Sequence, residues 1–164
     1  MAESANEVSL ETRDKLVALL NARLADGIDL MFRSKLAHWH AEGPEYYALQ
    51  GLFDRVYADV AEHVDILAER AVQLGGRADG AVAHVARSTQ LPAYEPNAIE
   101  GTAHLSSLSE TIEEYLRLVR SSGQQAEQLG DRDTAEIFSG VFRDLDTHLA
   151  FLHGHIEGPE VAGA

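Results

Sequence analysis

Apolar residues recur at steps of three and four over four long stretches of the chain, and each stretch predicts an amphipathic helix. In the first, about residues 8–40, the stripe runs through Val17, Leu20, Leu24, Ile28, Met31 and Leu36. The second opens at Gly43-Pro44 and carries Leu49, Phe53, Val56, Val60, Val64, Leu67, Ala71 and Leu74 until Gly75-Gly76 stops it. The third, about residues 98–129, places Leu105, Leu108, Ile112, Leu116 and Val119 in the core. The fourth follows Gly130, takes Asp131 or Asp133 as its cap, and buries Phe138, Val141, Phe142, Leu145, Leu149, Leu152 and Ile156. The connection over 77–97 is long for a bundle, but Val82, Val85 and Ala86 predict a short helix in it, followed by an extended segment around Pro92 and Pro96. Gly27 marks a close approach inside the first helix, and Gly123 a kink in the third. The pattern predicts an all-α fold: one domain over residues 1–164, with loose ends at 1–6 and 158–164.

The second helix carries another stripe. At about 100° per residue, Gln50, Asp54, Asp65 and Glu69 centre roughly 150° from its apolar line. These polar groups therefore face water or another chain. Asp54 and Asp65 lie about 16 Å apart along the axis, too far to hold one ion together. A two-fold axis between residues 59 and 60 changes this. An antiparallel copy then sets Asp54 against the partner's Asp65, Gln50 against the partner's Glu69, and Ala58 against the partner's Ala61. Small residues at the crossing let the backbones approach, and a self-complementary patch serves both subunits.

Several residues together resemble the signature of the Dps proteins, the starvation-induced mini-ferritins. They are His38-Trp39, Gly43-Pro44, Asp54, Asp65, Ala68-Glu69-Arg70 and Leu74-Gly75-Gly76, with Asp131 to Thr134, Asp144-Leu145-Asp146 and Leu149 to Leu152 further on. The resemblance implies a ferritin-like four-helix bundle with a short extra helix between the second and third long helices. It also implies a homo-dodecamer built from two-fold dimers, and iron oxidised at sites shared across the two-fold interface. In that family one subunit gives a His from the first helix and a His and an Asp from the second, while its neighbour gives an Asp and a Glu. Here those positions read His38, Gln50, Asp54, and Asp65 with Glu69. Gln50 departs from the pattern, because an amide oxygen is a weaker ligand than imidazole. His40, Glu62 and His63 are candidate auxiliary ligands, and Trp39 a candidate neighbour of the site. In the family, acids at the entry to the last helix surround pores for ferrous iron; the corresponding acids here are Glu127, Asp131, Asp133 and Glu136.

Charge narrows the function. The 164 residues carry a formal net charge of −14, and Lys15 and Lys35 are the only lysines. Many family members bind DNA through lysine-rich termini, yet here the N-terminal residues are acidic and the last eight have no basic residue. Phosphate recognition rests on Lys and Arg, so DNA binding is not expected. The start does not resemble a signal peptide and no apolar run is long enough to span a bilayer, which predicts a cytoplasmic location without membrane attachment. With no cysteine, thiolate metal sites are excluded.

A ferritin whose di-iron site lies inside one subunit uses Glu-x-x-His pairs from two helices, and this sequence contains none. That favours the shared site independently of the resemblance. The expected activity is ferroxidase: Fe(II) oxidised by hydrogen peroxide or oxygen, with ferric mineral stored in the shell. His38, Asp54, Asp65 and Glu69 are the expected ligands. Two other readings compete with it. One is a metal-binding cage with weak oxidation, its site loosened by Gln50 or occupied by zinc. The other is a protein that shields nucleoid DNA.

Overall fold

The computed structural model describes residues 8–94 and 101–158. Apart from Gly158, the expected loose ends lie outside the described residues, as does the start expected for the third long helix near residue 98. Within them the chain forms α1 (Leu10–Trp39), α2 (Tyr46–Gln73), the short α3 (Val82–Ser88), α4 (Gly101–Gln128) and α5 (Arg132–Glu157). The four long helices pair as α1 with α2 and α4 with α5, the two pairs pack together, and α3 lies against α1. The expected four-helix bundle with a short extra helix is the observed architecture.

The apolar stripes meet in one core. Leu16, Leu20, Phe53, Val60, Leu108 and Phe138 are among its buried members. Leu24, Ala25 and Ile28 form a second patch that Val85 of α3 covers. Gly27 marks a close approach inside the bundle: a Cβ there would meet Tyr115 Oη at 3.1 Å and Val64 Cγ2 at 3.2 Å. The helix α4 continues through Gly123. This glycine lets α5 approach, since a Cβ there would stand 3.3 Å from Phe138 Cβ. Ile156 is exposed, sitting one residue before α5 ends.

Several helix ends follow their sequence signals, while α2 starts at Tyr46, two residues past Pro44, with no side-chain cap. Ser9 caps α1 by accepting from Thr12 N–H, and Asp131 caps α5 by accepting from Thr134 N–H. Gly75 takes the left-handed conformation after α2, and Gly76 N–H returns to the Ala71 carbonyl at 2.9 Å.

The long connection after α2 is held by the polar edge of α1. Asn21 donates to the Arg77 carbonyl at 2.8 Å, and Asp26 accepts from Gln90 N–H at 2.7 Å. Arg23 reaches Gln90 Oε1 at 2.7 Å, and Arg33 reaches the Pro92 carbonyl at 2.7 Å. Arg23 and Asp26 are themselves a buried ion pair. These contacts satisfy backbone groups that a helical connection would have bonded internally.

Candidate metal centre

His38 stands in the last turn of α1 and Asp54 in the third turn of α2, and the turn through Gly43-Pro44 folds one against the other. His38 Nδ1 lies 3.1 Å from Asp54 Oδ1 and 3.4 Å from the Gln50 carbonyl, while the Gln50 amide donates back to the His38 carbonyl at 3.4 Å. One turn earlier, Lys35 Nζ donates to the same Asp54 oxygen at 2.8 Å and sits 4.8 Å from the Tyr57 ring centroid. A neutral His38 that carries its proton on Nδ1 keeps a lone pair on Nε2 for a metal ion. Such a ring is oriented by a carbonyl or carboxylate behind it, as ligating imidazoles usually are.

Asp65 and Glu69 are exposed, on the same face of α2 as Asp54 but about three and four turns further along. Among the described residues no group of three or more His, Asp or Glu is placed to hold a metal ion. Glu62 is exposed beside them, and Gln50 is half-buried. Trp39 is 67% exposed and shares a shallow surface groove with Phe32, Leu36 and Tyr94. His40 bonds the Leu36 carbonyl through Nδ1 at 2.9 Å and stacks on His104, with ring centroids 5.1 Å apart. Burial pushes the Tyr94 phenol up to about 12 against the pull of Arg33, and its hydroxyl is hydrogen-bonded to His104 Nδ1 at 2.7 Å.

His63 has a different neighbour from the one its candidacy requires. It is buried in the bundle, and its Nε2 lies 3.0 Å from Asp144 Oδ2 on α5. Its Nδ1 is buried without a hydrogen-bond partner. A neutral ring that bonds the carboxylate does so with its proton on Nε2. A metal at Nε2 would move the proton to Nδ1, where nothing accepts it. His148 repeats the arrangement one turn away, with Nε2 bonded to Asp59 and Nδ1 buried without a partner. The two links are reciprocal: α2 reads Asp59-x-x-x-His63, α5 reads Asp144-x-x-x-His148, and the antiparallel helices join each His to the other's Asp. The repeated spacing stands in the sequence. Only the helix register gives it meaning.

The acids at the entry to α5 separate into two kinds. Glu127, Asp133 and Glu136 are exposed, whereas Asp131 is buried. Arg70 of α2 donates to both Asp131 oxygens at 3.0 and 2.9 Å and to Thr134 Oγ1 at 3.0 Å. Burial pushes the Asp131 carboxyl up, but hydrogen bonds from Thr134 and Arg70 outweigh it and hold the group below its ordinary value. Asp131 therefore fastens α5 to α2, and its charge is already matched.

Comparison with known proteins gives the family of this fold. The family model of the ferritin-like domain matches residues 17–160. A DNA protection during starvation protein of Agrobacterium fabrum is 36% identical over 152 residues, covering 93% of this chain and 94% of that one. DpsC from Streptomyces coelicolor superposes with a TM-score of 0.90 at 28% identity, covering 99% of this chain and 95% of that one. A Dps protein from Vibrio cholerae O1, described as one of a broad superfamily of ferritin-like diiron-carboxylate proteins, gives a TM-score of 0.83 at 23% identity over 95% of this chain and 99% of that one.

Proposed function

Since this chain belongs to the ferritin-like family, in its Dps branch, we propose that it is a mini-ferritin that oxidises Fe(II) and stores the ferric product. Its reaction centres are completed between two subunits of a dodecamer. His38 Nε2 and Asp54 of one subunit, with Asp65 and Glu69 of its partner, hold the iron. The observation that carries this reading is the split of the ligand set along α2. His38 and Asp54 converge at 3.1 Å, while Asp65 and Glu69 stand exposed on the same face, too far along the helix to join them.

One imidazole and three carboxylates, with remaining positions open to water, suit a hard cation that changes charge as it reacts. With two oxygens, the Glu69 carboxylate can serve as the bridge between two ions. Each of two Fe(II) ions gives up one electron, hydrogen peroxide takes both, and its O–O bond breaks to two hydroxide ions. Taking the electrons as a pair avoids releasing hydroxyl radical, which makes the chemistry protective. Exposed Glu127, Asp133 and Glu136 supply the cation-attracting field at the entry pores.

Stopped-flow absorbance after adding Fe(II), with and without peroxide, tests the reading. Asp65→Ala combined with Glu69→Ala should bring oxidation down to the buffer blank while circular dichroism stays unchanged, because both side chains face away from the core. Unaltered oxidation in that variant overturns the assignment. A second reading, a metal-binding cage with weak or zinc-blocked oxidation, is favoured by two features. Gln50 stands at a usual His position, and Lys35 already holds Asp54. A wild-type rate no faster than the blank selects it. The net charge of −14 weighs against DNA shielding, and a gel shift at low salt should show no retardation.

A further inference from the structure

The α2 face that carries Asp54 and Asp65 extends beyond them at both ends. Tyr47 precedes Asp54 by seven residues and Val72 follows Asp65 by seven, and a step of seven drifts only about 20° on a straight helix. Both are large apolar side chains turned to solvent, Tyr47 85% exposed and Val72 58% exposed. Val72 lines a shallow groove with Ala68, Glu69, Gln73 and Ala78. At the other end, the Tyr47 ring is steadied by an edge-on contact with Tyr46, centroids 5.1 Å apart.

We propose that Tyr47 of each subunit docks in the groove formed by Ala68, Val72 and Ala78 of its partner and covers the partner's Glu69. This rests on the antiparallel pairing of α2 put forward above, and the register follows from it: a two-fold that sets Asp54 against the partner's Asp65 also sets Tyr47 against the partner's Val72. Geometry calls for a large residue there. Crossed helices separate with distance from the crossing. Ala58 and Ala61 therefore suit the centre, while about 19 Å further out the gap needs a long side chain. The docked ring shuts water out from the outer end of the reaction centre and lets the apolar ends of the stripe hold its acidic middle together.

The chain has no cysteine, so paired thiols can be introduced cleanly. The full-length Tyr47→Cys/Val72→Cys variant is treated with a short bismaleimide and run on a denaturing gel, beside each single variant and an Asp54→Cys/Asp65→Cys control. Positions 47 and 72 of one chain lie roughly 37 Å apart, as do two copies of position 47 across the two-fold, so neither separation can be bridged. A covalent dimer from the 47/72 double variant and none from either single is the expected result. If the 54/65 control links and the 47/72 variant does not, the docking is wrong while the shared site stands. If neither pair links, the pairing of α2 itself is wrong. A dimer from a single variant also overturns the proposal.

Discussion

Lys35 Nζ and Asp54 Oδ1 are 2.8 Å apart, so the candidate iron ligand already carries a cation supplied by its own chain. A metal ion that binds Asp54 must displace that ammonium or share the carboxylate with it. Lys35→Met keeps the stem beside the Tyr57 ring but removes the charge. The two side chains are 30% and 45% exposed, so solvent screens the pair to no more than about 1 kcal/mol. Divalent binding should therefore tighten about five-fold in Lys35→Met. Calorimetry with Co(II), which is not oxidised under these conditions, measures it. Unchanged or weaker binding would show that Lys35 does not compete at the site.

The Arg70–Asp131 link gives a prediction with a defined sign in pH. The folded state holds the Asp131 carboxyl below its ordinary value, so its stabilisation is complete above the unfolded value, about 3.9, and disappears as pH falls through the folded value. Asp131→Asn preserves a good N-cap and removes only the charge. Denaturant melts at matched protein concentration should show a loss of about 1–2 kcal/mol at neutral pH. The gap should close below about pH 4 as the wild-type carboxyl protonates. A gap that stays constant across that range would mean the charge on Asp131 contributes nothing.

The bundle was legible because a 3.6-residue period marks each buried face, and Leu49 through Leu74 follow it without a break. His38 and Asp54 were legible as partners because a family motif fixes their spacing across a short turn. Lys35 was not, since an isolated ammonium near a helix end carries no sign of which carboxylate it reaches. Nor were the His63–Asp144 and His148–Asp59 links. They join residues about eighty to ninety positions apart, and only the side-by-side register of α2 and α5 aligns the two Asp-x-x-x-His segments. Asp131 had the sequence character of both a cap and a pore acid. The structure shows it as the cap of α5 paired with Arg70 of α2, a partner that the sequence does not mark.

Those two links can be separated energetically. Asp144→Leu leaves the buried His63 Nε2–H without its acceptor and should cost about 1–2 kcal/mol. A double-mutant cycle with His63→Phe should return a coupling of about 1 kcal/mol, while the His63/Asp59 pair, one helical turn apart but not bonded to each other, should couple more weakly. The assembled fraction of His63→Phe should also oxidise Fe(II) within about two-fold of wild type, a difference of less than half a kcal/mol. Loss of oxidation in a folded, assembled His63→Phe protein would restore this residue to the ligand set.

Gly76 predicts a clash that a second substitution relieves. A Cβ at this position would stand 2.5 Å from Val17 Cγ1, 2.6 Å from Val17 Cγ2 and 3.1 Å from the Ala71 carbonyl oxygen. Val17 is β-branched and has few rotamers to retreat into, so α1 and the end of α2 must separate slightly. Gly76→Ala should destabilise by about 1–3 kcal/mol. Val17→Ala removes both methyl groups in the way, and being half-buried it should cost less than a fully buried Val. The double variant should then be more stable than the sum of the two losses, by about 1 kcal/mol. Thermal melts at one protein concentration measure the three differences, since melting of an assembled protein shifts with concentration. Additive losses would mean that the Ala71 carbonyl, not Val17, sets the limit on side-chain size at position 76.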